Sequence, residues 1–318
     1  MEERLSDRAG IVSRLVDHRV GGEVSADPPR VSVIIPAYNV SDTIAETLDS
    51  IFAQTFPGYE VIVVNDGSPD SRQLESVLAP YFPRVVYGRQ ENGGAAMARN
   101  AALALARGEY AAFLDGDDIW LPEYLESQLA HIESNDLDMV YSNAFLFGDN
   151  FLGDETYMET APSAGDVTPV SLINTECNVA TSGTVLRMSC LERSGLFDVE
   201  SARAAEDFEL WLRLALDGTK IGYQEEPLFR HRLRANSFSG TNVARAERNV
   251  ESLEFAGAKL PLPDPAARAL VKQLEVCRAE LEIEKGKLSL VEGRFGEASE
   301  QIRKANLHYR KTKLSVLA

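Results

Sequence analysis

The residues best placed for chemistry are three carboxylates crowded into four positions, Asp115, Asp117 and Asp118, at the end of the apolar run Tyr110–Leu114. Charges this close repel one another unless a cation lies among them, and oxygen donors of this kind suit a hard divalent ion. Gly116 removes a side chain between two of the acids, so that backbone can approach a ligand closely. The alternative is a solvated turn in which Asp117 and Asp118 cap a helix starting near Pro122. A second acidic pair, Glu206-Asp207, precedes the apolar stripe Phe208, Trp211, Leu212 and Ala215. At a helix N-terminus, free N–H groups and the helix dipole keep a carboxylate ionised, which suits a general base and equally a plain cap. Late in the chain, Arg232 and Arg234 offer planar donors that suit phosphate, although a basic loop can also be merely solvated.

These groups need a frame that brings distant segments together. Val31–Pro36 reads as a buried strand stopped by proline, followed by Ala37-Tyr38-Asn39 and a helix capped by Ser41 with apolar spacing Ile44, Leu48, Ile51, Phe52. Tyr59–Val64 is a second strand, closed by the turn Asn65-Asp66-Gly67-Ser68. Helix Ser71–Leu78, strand Arg84–Tyr87, the Asn92-Gly93-Gly94 turn, the Ala-rich helix Ala95–Ala106 and strand Tyr110–Leu114 continue the alternation. The pattern predicts an α/β fold with a mostly parallel sheet and right-handed crossovers. Three strand ends then share one edge and carry Tyr38-Asn39, Asp66 and Asp115, so they can converge on one ligand. Beyond lie a helix over Pro122–Glu133, a strand over Met139–Phe147, a loop over 148–170, a strand at Thr184–Leu186, a short helix Ser189–Arg193 and a last strand Lys220–Glu225.

The totals exclude several functions. The 318 residues allow one large domain and an appendage, or two small domains, with 44% apolar and 25% charged residues, as in ordinary folded proteins. A formal charge of −17 argues against nucleic acid or an anionic membrane as partner of the main body. From Asp264 on, the balance reverses to 11 Lys and Arg against 8 Asp and Glu, which leaves peripheral contact with a membrane or a partner open to that segment. Cys177, Cys190 and Cys277 are unpatterned, so neither a disulfide framework nor a zinc site is expected. Glu2, Glu3 and Arg4 do not begin a signal peptide, and no apolar run approaches ~18 residues, so a cytoplasmic location is expected, with contact at the inner membrane face open. No G-x-G-x-x-G follows a strand, and PAYN stands where a Gly- and Lys-rich phosphate loop would follow the first strand, which speaks against dehydrogenase and nucleotidyl-transfer chemistry.

Four segments, VSVIIPAYN, VIVVNDGSPDS, NGGAAMARNAALALARGEY and FLDGDDIW, together resemble the nucleotide-sugar-binding half of family 2 glycosyltransferases. The resemblance implies the GT-A fold, a Rossmann-like mixed sheet flanked by helices. It implies that Tyr38 stacks on the donor base and that Asp66 accepts a hydrogen bond from the base's ring N–H, which suits uracil, thymine or guanine and disfavours adenine. Pro36 and Ala37 would contribute backbone groups beside the turn residue Asn39, and Arg99 would lie next to the nucleotide. Asp115, with Gly116 beside it, would sit near the ribose and metal, and Asp117 would ligate Mn²⁺ or Mg²⁺. Gly195–Asp198 and AEDFELWLRLA resemble the acceptor-side motif, in which the second acid is the base; that makes Asp207 the base and Glu206 its support. Arg234 stands where the family often has a histidine, so a third protein ligand for the metal is not implied. The expected activity is metal-dependent inverting transfer from a nucleotide-diphosphate sugar, with a UDP-sugar favoured, to a glycan, lipid-linked or protein hydroxyl in polysaccharide synthesis. The rival is a silent nucleotide-sugar-binding or scaffold protein acting through its tail; the full set of acids argues against it.

The expected division is an arm and linker over 1–30, a GT-A domain over 31–240 with halves 31–120 and 121–240, and a helical segment over 241–318. In the last, Leu270, Leu274, Cys277, Leu281, Leu288 and Val291 follow coiled-coil-like spacing until Gly293, and Phe295, Ala298, Ile302, Ala305 and Tyr309 form a second stripe. This α-helical hairpin resembles a single tetratricopeptide-type repeat. One repeat cannot bury its own face, so it should pack on the catalytic domain, on a second copy as a homodimer, or on a partner protein; docking to a copy or partner is the preferred expectation.

Overall fold

A computed structural model describes residues 7–23, 25, 27–148, 153, 155–201, 206–234 and 241–315. Among them, nine strands form one sheet: β1 (Asp17–Val20), β2 (Val31–Ala37), β3 (Tyr59–Asp66), β4 (Val86–Gln90), β5 (Tyr110–Phe113), β6 (Ile119–Trp120), β7 (Met139–Gly148), β8 (Thr184–Arg187) and β9 (Ile221–Leu233). The helices are α1 (Arg8–Val12), α2 (Ile44–Phe52), α3 (Ser71–Leu78), α4 (Ala95–Leu105), α5 (Tyr124–Ser134), α6 (Tyr157–Thr160), α7 (Pro169–Ile173), α8 (Met188–Ser194), α9 (Glu206–Leu216), α10 (Asn242–Lys259), α11 (Asp264–Val291) and α12 (Phe295–Ser315).

The strand order is β1-β4-β3-β2-β5-β8-β7-β9-β6. β2 pairs parallel with β3 and β5, and β3 pairs parallel with β4, as the alternation predicts. The chain moves outward from β2 through β3 to β4, then returns to lay β5 on the other side of β2. That reversal is the point at which open α/β sheets bind ligands, at the strands' carboxyl ends. β8, β7 and β6 enter by antiparallel pairing and make the sheet mixed.

Both sheet faces are covered, which is why these strands read as continuous apolar runs. Successive side chains point to opposite faces. Ile34, Ile62, Val64 and Val86 therefore pack with Ala98, Ala101 and Leu103 of α4 and with Leu210 and Trp211 of α9. Val33, Ile35, Val61 and Val63 pack with Ile44, Leu48, Leu74 and Leu129 of α2, α3 and α5.

Four features depart from the sequence reading. The arm contributes an edge strand, because β1 pairs antiparallel with β4. The last strand runs on through Pro227 to Leu233. Proline is tolerated there because it sits opposite Asn143, where the β7–β9 register shifts and the ladder is already interrupted. The expected loop over 148–170 contains α6 and the start of α7, each with a capping box, Thr156 with Glu159 and Thr168 with Ser171. Finally, α10 precedes the hairpin; its buried Ala246, Val250, Leu253 and Ala256 follow helical spacing.

The hairpin itself is present as α11 and α12, joined through Gly293 at φ 76°. Its apolar stripe divides. Leu270 and Cys277 are buried with Val250 and Leu253 of α10 against Ile173 of α7 and Leu212 of α9. Leu288, Val291 and Phe295 are exposed. The three cysteines are buried and unbridged. No helix among the described residues is long and apolar enough to cross a membrane.

Candidate active site

The site is built from the loops that leave β2, β3 and β5, with α9 and the end of β9 closing on them. Asp66 ends β3, is 3% exposed, and accepts from Gln90 Nε2 at 2.7 Å and from the Gly93 and Gly94 amides at 2.8 Å each. Burial raises its pKa, and these three donors oppose the rise. A carboxylate has about four acceptor positions. Two donors use Oδ1 and one uses Oδ2, so Oδ2 retains one for a ligand. Gly94, at φ 88°, needs glycine to turn the chain into α4.

The loop after β2 is tied to its neighbours through backbone. Asn39, in the left-handed region at φ 55°, donates its N–H to Ser68 Oγ at 2.7 Å and its carbonyl accepts from Arg234 Nη1 at 3.3 Å. Tyr38 beside it is 50% exposed, an aromatic face open to solvent. Ala37 is buried. Gly116 lies against this loop: a Cβ there would stand 3.0 Å from Val40 and 3.5 Å from the Pro36 carbonyl.

The three acids after β5 have different environments. Asp118 is 1% exposed; it accepts from the Arg232 amide at 2.8 Å and pairs with His231 Nδ1 at 3.1 Å. This follows from strand pairing, since Ile119 in β6 sits opposite Arg230 in β9. Burial pulls the His231 pKa down, but the charge and hydrogen bond of Asp118 outweigh it and lift the imidazole to about 9. Asp115 accepts from Arg99 at 2.8 Å. Asp117 lacks so close a cation, with Arg234 Nε 3.9 Å away. Burial first, then the charges of Asp118 and Asp115, push its carboxyl up to about 7. A divalent ion would relieve that repulsion. No cluster of three or more His, Cys, Asp or Glu side chains among the described residues could hold a metal alone. Asp117 therefore fits an ion carried by one or two protein carboxylates, with substrate phosphates and water completing its shell.

Arg99 joins the two acidic motifs. It is 5% exposed on α4, and its guanidinium donates to Asp115 at 2.8 Å and to Glu206 at 2.7 Å. Burial works against its charge, but Asp115 and Glu206 outweigh it and hold it fully protonated. A second bridge runs through adjacent residues: Thr181 donates to Asp207 Oδ2 at 2.8 Å, while Ser182 Oγ accepts the Asp115 amide at 3.1 Å. Asp207 thus begins α9 held close to the β5 loop. Burial, and then the Asp207 charge, raise the Tyr157 phenol to about 12.

Arg232 and Arg234 also reach this loop. Arg232 Nε donates to the Asp117 carbonyl at 2.7 Å and its guanidinium pairs with Glu46; Arg234 pairs with Asp42. The sequence reading placed Arg99 beside the nucleotide; here it clamps two carboxylates. It also missed the anchoring pair Asp118–His231, the Thr181-Ser182 bridge and the acids Asp42 and Glu46, none of which has a local sequence signature.

The family described as glycosyl transferase family 2 matches residues 32–191, half of the chain. It belongs to that family. This glycosyltransferase is 33% identical over 266 residues to TuaG of Bacillus subtilis, named for teichuronic acid biosynthesis, with 77% of this chain and 98% of TuaG covered. It is 31% identical to an uncharacterised glycosyltransferase of Rickettsia felis over 66% of its own length, and there it spans only 35% of the relative. Its fold is shared with S. aureus TarS 1-349 solved with UDP-GlcNAc, at TM-score 0.60 and 20% identity over 89% of this chain and 92% of that one. The mannosyltransferase PcManGT of Pyrobaculum calidifontis, solved with GDP-Man and Mn²⁺, gives TM-score 0.62 at 19% identity over 98% and 90%.

Proposed function

We propose that this glycosyltransferase moves a sugar from a nucleotide-diphosphate donor, preferentially a UDP-sugar, to a hydroxyl of a growing glycan with inversion at the anomeric carbon. The observation that supports the reading most is the Arg99 clamp, which ties Asp115 of the acidic β5 loop to Glu206 at the start of α9, the neighbour in sequence of the candidate base Asp207. Tyr38 stacks on the base, and the open position on Asp66 Oδ2 accepts the ring N–H that uracil has and adenine lacks. Asp117, with Asp115 two positions before it, would hold Mn²⁺ or Mg²⁺, and that ion would supply neutralising charge to the diphosphate. Asp207 accepts the proton of the acceptor hydroxyl as its oxygen bonds to the anomeric carbon. The bond to the diphosphate breaks at the same time, and its electron pair leaves on the phosphate oxygen. Arg232 and Arg234 exchange Glu46 and Asp42 for phosphate oxygens as that charge develops. The relatives' names, teichuronic acid synthesis, UDP-GlcNAc and GDP-Man with Mn²⁺, support this class of donor and product.

Calorimetric titration with UDP, GDP, dTDP and ADP, each with and without Mn²⁺, tests the reading. Binding of UDP that requires Mn²⁺ and exceeds that of ADP is expected. A folded protein that binds none of the four, or binds ADP as well as UDP, overturns it.

A further inference from the structure

We infer that α10 and α11, the helices appended to the catalytic sheet, form the far wall of an acceptor channel and select a glycan of at least two sugar units. The inference rests on Asp207 as the base. A cavity of about 290 Å³ lies between Asp207 and Trp211 of α9 on one side and Asn249, Gln273 and Glu280 of α10 and α11 on the other. That is near the lower bound of about 300 Å³ for small-molecule sites.

Its lining is poised for hydroxyl groups. Phe208 and Trp211 of α9 line it with aromatic surface. Among the described residues, Gln273 makes only a long contact from its amide N–H to Cys277 Sγ at 3.8 Å, which leaves its carbonyl available. Amides and carboxylates beside aromatic rings suit a sugar, whose hydroxyls both donate and accept and whose C–H face is apolar. A second cavity, of about 370 Å³, shares Asn249 and Glu280 with the first and continues between α10 and α11 to Glu284 and Lys287. Two adjoining cavities with common walls fit an extended acceptor.

The test is saturation-transfer NMR on the full chain with UDP and Mn²⁺ present, using methyl glycosides of glucose, galactose, mannose and N-acetylglucosamine as mono-, di- and trisaccharides. In at least one series, affinity should rise about tenfold from mono- to disaccharide, the value of one good hydrogen bond to a charged group. Glu280→Gln and Gln273→Ala should remove that gain, and Gln273→Trp, which fills the cavity, should abolish saccharide binding. All three variants should keep wild-type affinity for UDP with Mn²⁺, which also reports that they are folded. Equal affinity at every length, gains unchanged in the variants, or no saccharide binding while UDP binds would each overturn the channel. Loss of UDP binding in the wild type would instead overturn the donor site itself.

Discussion

Asp117→Asn should stabilise the metal-free protein while destroying its response to metal. The carboxyl stands at about 7 against an ordinary value of 3.8, raised by burial and by the charges of Asp118 and Asp115. Each pH unit of displacement corresponds to about 1.4 kcal/mol, so the full cost of ionising Asp117 in the fold is at most about 4 kcal/mol. Its side chain keeps 25% of its surface in water, which screens the repulsion, so we expect about 2 kcal/mol. The sign follows from linkage. Below 3.8 the group is protonated in both states and costs nothing; as pH rises towards about 7 the unfolded chain ionises first, and native stability falls. The asparagine variant escapes that loss. In EDTA, its melting temperature should exceed the wild type's by about 4 °C at pH 8, and by clearly less at pH 5. With Mn²⁺ and UDP the order should reverse, because ligand stabilises only the protein that binds it. Differential scanning calorimetry at the two pH values, with and without ligand, reads all of this. An unchanged or lower melting temperature at pH 8 in EDTA, or equal Mn²⁺–UDP stabilisation of both proteins, would refute the reasoning.

Asp207→Asn should lower transfer by about 10²–10⁴-fold, the usual contribution of a general base, while UDP affinity by calorimetry changes only a few-fold; a loss of donor affinity as large as for Asp117→Ala would place Asp207 in the donor site instead. Arg99→Met should destabilise by about 3–5 kcal/mol, since it leaves Asp115 and Glu206 without their shared cation, and urea unfolding would show the loss; Arg99→Met with Glu206→Gln should recover part of it. Tyr38→Ala should weaken UDP by about 1–3 kcal/mol through lost stacking, whereas Tyr38→Phe should bind as the wild type does. His231 adds stability that is complete below 6.5 and disappears as pH rises through about 9; in His231→Gln, thermal melts should show no such decline across that window.

The parallel core was legible because a strand covered on both faces must be apolar along its whole length, so β2, β3 and β5 stand out and their ends can be counted. The crowded acids were legible for a similar reason: like charges at that spacing demand an explanation. What could not be read were long-range partnerships. Arg99 lies on an Ala-rich helix and looks like a surface residue, yet its partners are 16 and 107 positions away. Whether an arginine is solvated or clamped depends on what the fold lays over it, here Asp115 from β5 and Glu206 from α9. Asp118 shows the limit most clearly. As a helix cap it would need no distant partner, and nothing local argues against that role. It becomes an anchor because β9 continues past Pro227 and pairs with the two-residue β6, which sets Asp118 against His231 and Arg232, 113 and 114 positions further on. The continuation of β9 in turn depends on a register shift opposite Asn143, whose side chain donates to the Glu225 carbonyl and accepts from the Ala144 amide. A single asparagine on a different strand thus helps decide whether the loop's third acid faces water or secures the basic end of β9 beside Asp117.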